Sequence, residues 1–227
     1  MTNSMAPCRD LLDQHMRQTL GAYVLKTTGI PQQKRDDPLQ YVAILFSRLR
    51  TVEFLKQLNA DCDCLRAQHN LNTDPSAQKN LLNCFNVIVE RLAKDALDEI
   101  AFAAVRKCFI SLAAEIESLQ NDHALNVLHA CIDLQAGELL VLQAYYEAEN
   151  IAGAFASVQN WMAALSQHTG VASQLRLKIY TDSLIQKKLL AKKEIKKITS
   201  TPSHRLTALG TATALSIAVG DKILHSM

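Results

Sequence analysis

From Pro38 to Leu58 the apolar residues Leu39, Val42, Ile44, Leu45, Phe46, Leu49, Val52, Leu55 and Leu58 return mostly at intervals of three and four. That spacing lays one apolar stripe along an α-helix. The same rhythm runs earlier through Leu11, Leu12, Met16, Leu20, Tyr23 and Val24. No alternation of period two is long enough to mark a strand, and no internal repeat is visible. Seven glycines and five prolines in 227 residues are too few for the many turns of an all-β fold. Hydrophobic residues at 48% against 20% charged are the balance of a chain that buries a core. The fold class expected is all-α, a multi-helix bundle of about eight or nine helices.

Two Asp-Pro pairs, Asp37-Pro38 and Asp74-Pro75, carry the cap and first-turn signature of a helix start. With that frame the helices predicted run roughly over Pro7–Thr27, Pro38–Leu58, Pro75–Leu92, Asp95–Leu119, Asn121–Leu134, Glu138–Glu147, Asn150–Gln167, Ser173–Ile198 and Ser203–Leu224. Gly137 reads as an interruption and Gly170 as a stop, and Asn59–Thr73 as a short helix or loop. Three regions follow: an N-terminal helix over 1–36, a helical core over 37–170, and a C-terminal part over 171–227.

The last region is electrically distinct. From Val171 to Arg205 nine basic residues face two acids, a net +7 within a chain whose total is only +2. Lys187, Lys188, Lys192, Lys193, Lys196 and Lys197 would share one broad face of the helix predicted there. Such a basic amphipathic helix suits either an anionic membrane surface or a solvated face packed on its neighbour. Leu206–Gly220 is uncharged but too short and too weakly apolar to span a bilayer. Nucleic acid is not an expected partner, because Tyr180 is the only aromatic in the basic stretch and the rest of the chain is net acidic.

Cys8, Cys62, Cys64, Cys84, Cys108 and Cys131 stand in a chain large enough to fold without staples. With charges scattered through the first thirty residues and no long apolar run, the expectation is reduced thiols in a cytoplasmic protein with no membrane span. Cys62-x-Cys64 with His69 and Cys84 lacks the spacing of a tetrahedral metal site, and the cysteines read as buried apolar residues. Cys131 beside His129 and Asp133 does not make a nucleophile, since positions two apart on a helix face different ways. No phosphate loop, nucleophile elbow or zinc-protease pattern occurs. Asp98-Glu99, near Glu90 and Asp95, is either a working carboxylate pair or an ordinary acidic helix start.

The segment Tyr145-Tyr146-Glu147-Ala148-Glu149-Asn150-Ile151-Ala152-Gly153-Ala154-Phe155-Ala156-Ser157-Val158 resembles the end of the vacuolar-protein-sorting-nine (VPS nine) domain, a family that exchanges nucleotide on endosomal Rab GTPases. Asp98-Glu99-Ile100-Ala101-Phe102 stands where that family has an aspartate heading a buried helix, and Lys79-Asn80-Leu81-Leu82 to Val89 is similar to its upstream helix. The resemblance spans about residues 37–168. The family's proline after the aspartate is missing, Glu149 stands in place of its threonine, and its Gly-Glu pair appears only as Gly137-Glu138, further upstream.

The resemblance implies a VPS nine-like helical domain that acts as a guanine-nucleotide exchange factor on an endosomal Rab GTPase and needs no cofactor. Asp98, or Glu99 if the acidic pair aligns one position later, would be the carboxylate that competes with nucleotide phosphate for the cation. Tyr146, or Tyr145 if the turn is shifted, would orient it. Ile100, Val105, Asn150, Ile151 and Phe155 would meet the GTPase, with core packing as the alternative for the apolar ones. The basic C-terminal stretch would suit membrane proximity or, in a bacterial mimic of host factors, delivery into the host cell. Without the resemblance, the reading is a non-catalytic helical scaffold that docks through Ser173–Arg205.

Overall fold

In the computed structural model of the chain, the residues described are 51–58, 60–61, 64, 75–94, 97–115, 121–150, 160–192 and 204–226. Helix dominates them at 84%, against 5% strand. The chain divides into two compact units, one of 1–97 with 113–119 and 227, the other of 98–112 with 120–226. The N-terminal helix expected over 1–36 lies outside the described residues.

The first unit holds the helical segment 51–58 and helix α1, Pro75–Lys94. Phe54, Leu55 and Leu58 are buried in one, and Cys84, Phe85, Ile88 and Leu92 in the other. Their spacing of three and four is the predicted stripe turned inward. The Asp-Pro punctuation is borne out at Pro75, which opens α1.

The second unit is built from α2 (Glu99–Ala114), α3 (Asn121–Ile132), α4 (Ala136–Asn150), α5 (Trp161–Thr169), α6 (Gln174–Gln186), β1 (Leu190–Lys192), β2 (His204–Leu206) and α7 (Ala208–Ser226). Helix α4 is the hub, packing on α5, α6, α7 and β2. It buries Leu139, Val141, Leu142, Ala144 and Tyr145. Helix α7 also lies on α3.

Local chemistry sets the boundaries. Asp98 Oδ1 accepts the Ala101 N–H at 2.8 Å, capping α2. Asn160 Oδ1 accepts the Met162 N–H at 3.0 Å to cap α5, which Gly170 ends in the left-handed region at φ 70°. Ser173 Oγ accepts the Arg176 N–H to cap α6. Thr207 Oγ1 accepts the Gly210 N–H at 3.0 Å in the first turn of α7.

Three expectations are corrected. Gly137 does not interrupt a helix: it sits in the first turn of α4, where the Tyr180 ring of α6 occupies the space a Cβ would need. The helix expected over Ser173–Ile198 ends at Gln186. There Leu189 N–H bonds the Leu184 carbonyl and Lys188 N–H bonds Ile185, with Lys188 at φ 60°, and buried Leu184 and Leu189 accompany the turn. This is a Schellman stop with lysine where glycine is usual. Beyond it, β1 pairs antiparallel with β2 in the register Leu190 with Leu206 and Lys192 with His204, so α7 starts at Ala208 and not at Ser203. The six lysines therefore do not share one helical face, and Lys193, Lys196 and Lys197 lie outside the described residues.

Candidate functional site

Three helices of the second unit enclose a groove of about 850 Å³. Helix α2 presents Glu99, Ile100, Ala103, Ala104 and Lys107 to it, one face at helical spacing. Helix α4 presents Leu139, Leu140, Gln143, Tyr146, Glu147 and Asn150, again one face. Leu215, Ala218 and Lys222 of α7 complete the wall at intervals of three and four.

The groove is apolar at its base and charged at its edge. Ile100 and Leu215 are 45% and 44% exposed, two of the few large aliphatic side chains left open to water among the described residues. Lys107 Nζ meets Asp221 Oδ1 at 2.6 Å, and that ammonium, chiefly through its hydrogen bond, holds the Asp221 carboxyl below its ordinary value. Glu147 Oε2 lies 3.0 Å from His168 Nε2 of α5. Asn150 Nδ2 donates to the Tyr146 carbonyl at 2.9 Å, closing the last turn of α4. Gly220 brings α7 onto the Lys107 carbonyl, where any Cβ would collide with backbone.

Four of the residues expected at the site, Glu99, Ile100, Tyr146 and Asn150, line this one groove although they come from two helices far apart in sequence. Asp98 is exposed at the start of α2, one residue before the groove lining begins, with one carboxylate oxygen engaged in the cap. Two of the expected residues do not line the groove. Val105 is fully buried and belongs to the core. Tyr145 is also buried: its Oη accepts the Trp161 Nε1–H at 3.2 Å, and the rings meet edge to face with centroids 5.0 Å apart. Burial drives the Tyr145 phenol up, against the indole bond that lowers it. Ile151 and Phe155 lie outside the described residues. The sequence reading missed Lys107, Gln143, Leu215 and Lys222. The spacing of Glu99, Ala103 and Lys107 four apart was the available signal for the first.

The lysines of the basic stretch separate. Lys187 is spent inside the fold: its Nζ donates to Glu138 Oε2 at 2.6 Å and to the Asp133 carbonyl at 2.8 Å. Ser183 donates to the other Glu138 oxygen, and Gln135 N–H to Oε2 at 2.8 Å. Burial alone would push the Glu138 carboxyl up, but these donors outweigh it and hold it below its ordinary value. Lys188 and Lys192 are exposed. Among the cysteines, Cys84, Cys108 and Cys131 are buried and Cys64 exposed, and burial pushes the Cys84 thiol up to about 11. A second hollow of about 670 Å³ is floored by Tyr145 and Trp161 and edged by Leu175, Lys178, Asp182 and His204.

Comparison with known proteins finds no family model, curated protein or solved structure that matches the chain. No helix among the described residues is long and apolar enough to cross a membrane.

Proposed function

We propose that the chain is a guanine-nucleotide exchange factor for a small GTPase of the endosomal Rab group. The observation that carries this reading is the meeting of Glu99, Ile100, Tyr146 and Asn150 along one groove. A non-catalytic scaffold gives no reason for the acidic head of one helix and the tyrosine of another to share a concave surface.

The chemistry follows from the arrangement. A GTPase grips its nucleotide through a lysine and a magnesium ion against the phosphates, so an inserted carboxylate competes for that positive charge. Of the acidic pair at the head of α2, Glu99 is the member that lines the groove, and Asp98 stands beside it. Ile100 supplies apolar contact for the switch segments, and Tyr146 lines the facing wall. The free energy for expelling nucleotide comes from contacts made better with the nucleotide-free GTPase than with the loaded one. No step requires a cofactor.

The test is release of fluorescent GDP from a panel of purified endosomal Rab proteins. Wild-type chain accelerates release from at least one of them; Glu99→Ala, Asp98→Ala and Tyr146→Ala are compared with it, and loss of at least tenfold in Glu99→Ala and Tyr146→Ala is the expected result. A flat response from every GTPase with wild-type chain sinks the proposal.

A second reading has an observation of its own. Leu175 and Ile179, one turn apart on α6, are 69% and 55% exposed, with Arg176 and Lys178 on the same helix. Aliphatic side chains among cations suit the surface of an anionic membrane. This contact is compatible with exchange activity on a membrane-bound GTPase and equally with a scaffold that has none.

A further inference from the structure

We infer that the C-terminal helix α7, which lies beyond the stretch that carries the family resemblance, is the third wall of the GTPase-binding groove, and that Leu215 and Lys222 contact the partner directly. The inference rests on the exchange-factor reading and adds to it a specificity surface that α2 and α4 alone do not provide.

Helix α7 is fixed at the groove by three independent features. Gly220 lets its backbone descend onto the Lys107 carbonyl of α2, an approach closed to every residue with a side chain. Asp221, next in sequence, holds Lys107 Nζ at 2.6 Å. At the other end Thr207 Oγ1 accepts the Gly210 N–H and itself donates to the Lys188 carbonyl at 2.7 Å, tying the start of α7 to the turn before β1. Gly210, Thr213, Ala214 and Gly220 are its buried face. Leu215 is turned away from that face and stands 44% exposed along the groove.

The occupant follows from charge and from shape. The lining carries three carboxylates, Glu99, Glu147 and Asp221, against two ammonium groups, Lys107 and Lys222, so its net charge is negative and suits a cationic partner surface, as the phosphate-binding lysine and magnesium of a GTPase present. Lys107 is already engaged by Asp221, and Lys222, the exposed cation of the lining, is the group placed to meet an acidic side chain of the partner beside its cationic site. Ile100 and Leu215 contribute aliphatic surface from two different helices, so an apolar switch segment laid along the groove touches both. Leu215 sits where hot-spot residues are expected, in a concave site with charges around it.

The experiment uses the full chain. Fluorescent-GDP release and binding to nucleotide-free GTPase are measured for wild type, Leu215→Glu, Lys222→Glu and the control Ala163→Glu, which adds a carboxylate on the exposed face of α5 outside the groove. The fluorescence of Trp161, the only tryptophan, checks that each variant is folded. Leu215→Glu is expected to lower the exchange rate and binding at least tenfold, and Lys222→Glu about threefold with a weaker salt dependence, while Ala163→Glu matches wild type. Wild-type exchange that Leu215→Glu leaves intact overturns this inference and spares the exchange-factor reading. Faster exchange in Leu215→Glu also overturns it, because α7 would then be restraining the site. Absence of exchange by wild type on every GTPase overturns both readings.

Discussion

Replacing Lys187 with methionine is expected to destabilise the second unit by about 2–3 kcal/mol at neutral pH, for a reason confined to one carboxylate. Glu138 is 3% exposed, and its oxygens are held by Lys187, Ser183 and the Gln135 N–H. Removing one partner of a fully buried ion pair costs about 3–5 kcal/mol, since the remaining charge keeps its desolvation penalty. Here the Lys187 side chain is 32% exposed, so water screens the pair from one side and the loss falls to the lower edge of that range or below it, about 2–3 kcal/mol. At about 2–4 °C per kcal/mol for a chain of this size, the melting point falls by roughly 4–12 °C. Urea denaturation followed by Trp161 fluorescence reports this unit. The pH dependence gives the sign. The folded Glu138 carboxyl lies below its ordinary value, so its stabilisation is present above the unfolded value and is lost as pH falls through the folded one. In Lys187→Met the lost donor lets burial raise the carboxyl, so the variant binds a proton first and its deficit shrinks on acidification. Adding Glu138→Gln to the variant removes the stranded charge and recovers most of the loss. A deficit under 0.5 kcal/mol at pH 7, or one that stays constant down to pH 3, refutes the reasoning.

Gly220→Ala forces α7 off the Lys107 carbonyl, with an expected loss of about 1–3 kcal/mol in the same denaturation assay; an unchanged midpoint would contradict the close approach. On the membrane reading, wild type is expected to sediment in low salt with vesicles of phosphatidylserine and phosphatidylcholine, and Leu175→Glu with Ile179→Glu to abolish that sedimentation. Wild type that stays in the supernatant at every phosphatidylserine fraction removes the membrane reading.

Helix was legible because it is written in periodicity, caps and breakers that act within a turn or two. Pro75, Gly170 and Ser173 each mark the boundary their chemistry predicts, whereas the helix expected from Asp95 begins at Glu99 behind the Asp98 cap. The end of α6 was not legible, because its stop uses Lys188 in the left-handed region and no glycine announces it. The hairpin that follows has strands of three residues, too short for alternation to be recognised. Rotation of a helix about its axis was the other blind spot. Helix α2 is apolar on most of its circumference, so Ile100 and Val105 looked equivalent, yet Ile100 faces the groove and Val105 the core. Tyr145 and Tyr146 are one residue apart and divide the same way. Lys187 read as surface charge because its partner Glu138 lies 49 positions away and only the tertiary fold joins them.

On the exchange-factor reading proposed above, the adjacent acids Asp98 and Glu99 split the duties of one short motif. A carboxylate at the helix head is stabilised by the free N–H groups of the first turn, and Asp98 uses one oxygen in that way on Ala101. To reach a cation in a partner with that oxygen, it would have to surrender the cap, at about 1 kcal/mol. Glu99 lines the groove, and the cap on the Ala101 N–H is made by Asp98 and not by Glu99. The two substitutions should therefore fail differently. Asp98→Asn keeps a capping oxygen and removes only charge, so it separates the two roles: near-normal exchange there, with loss in Glu99→Gln, assigns the displacing carboxylate to Glu99. The opposite pattern assigns it to Asp98 and makes the cap a resting position that binding of the GTPase breaks.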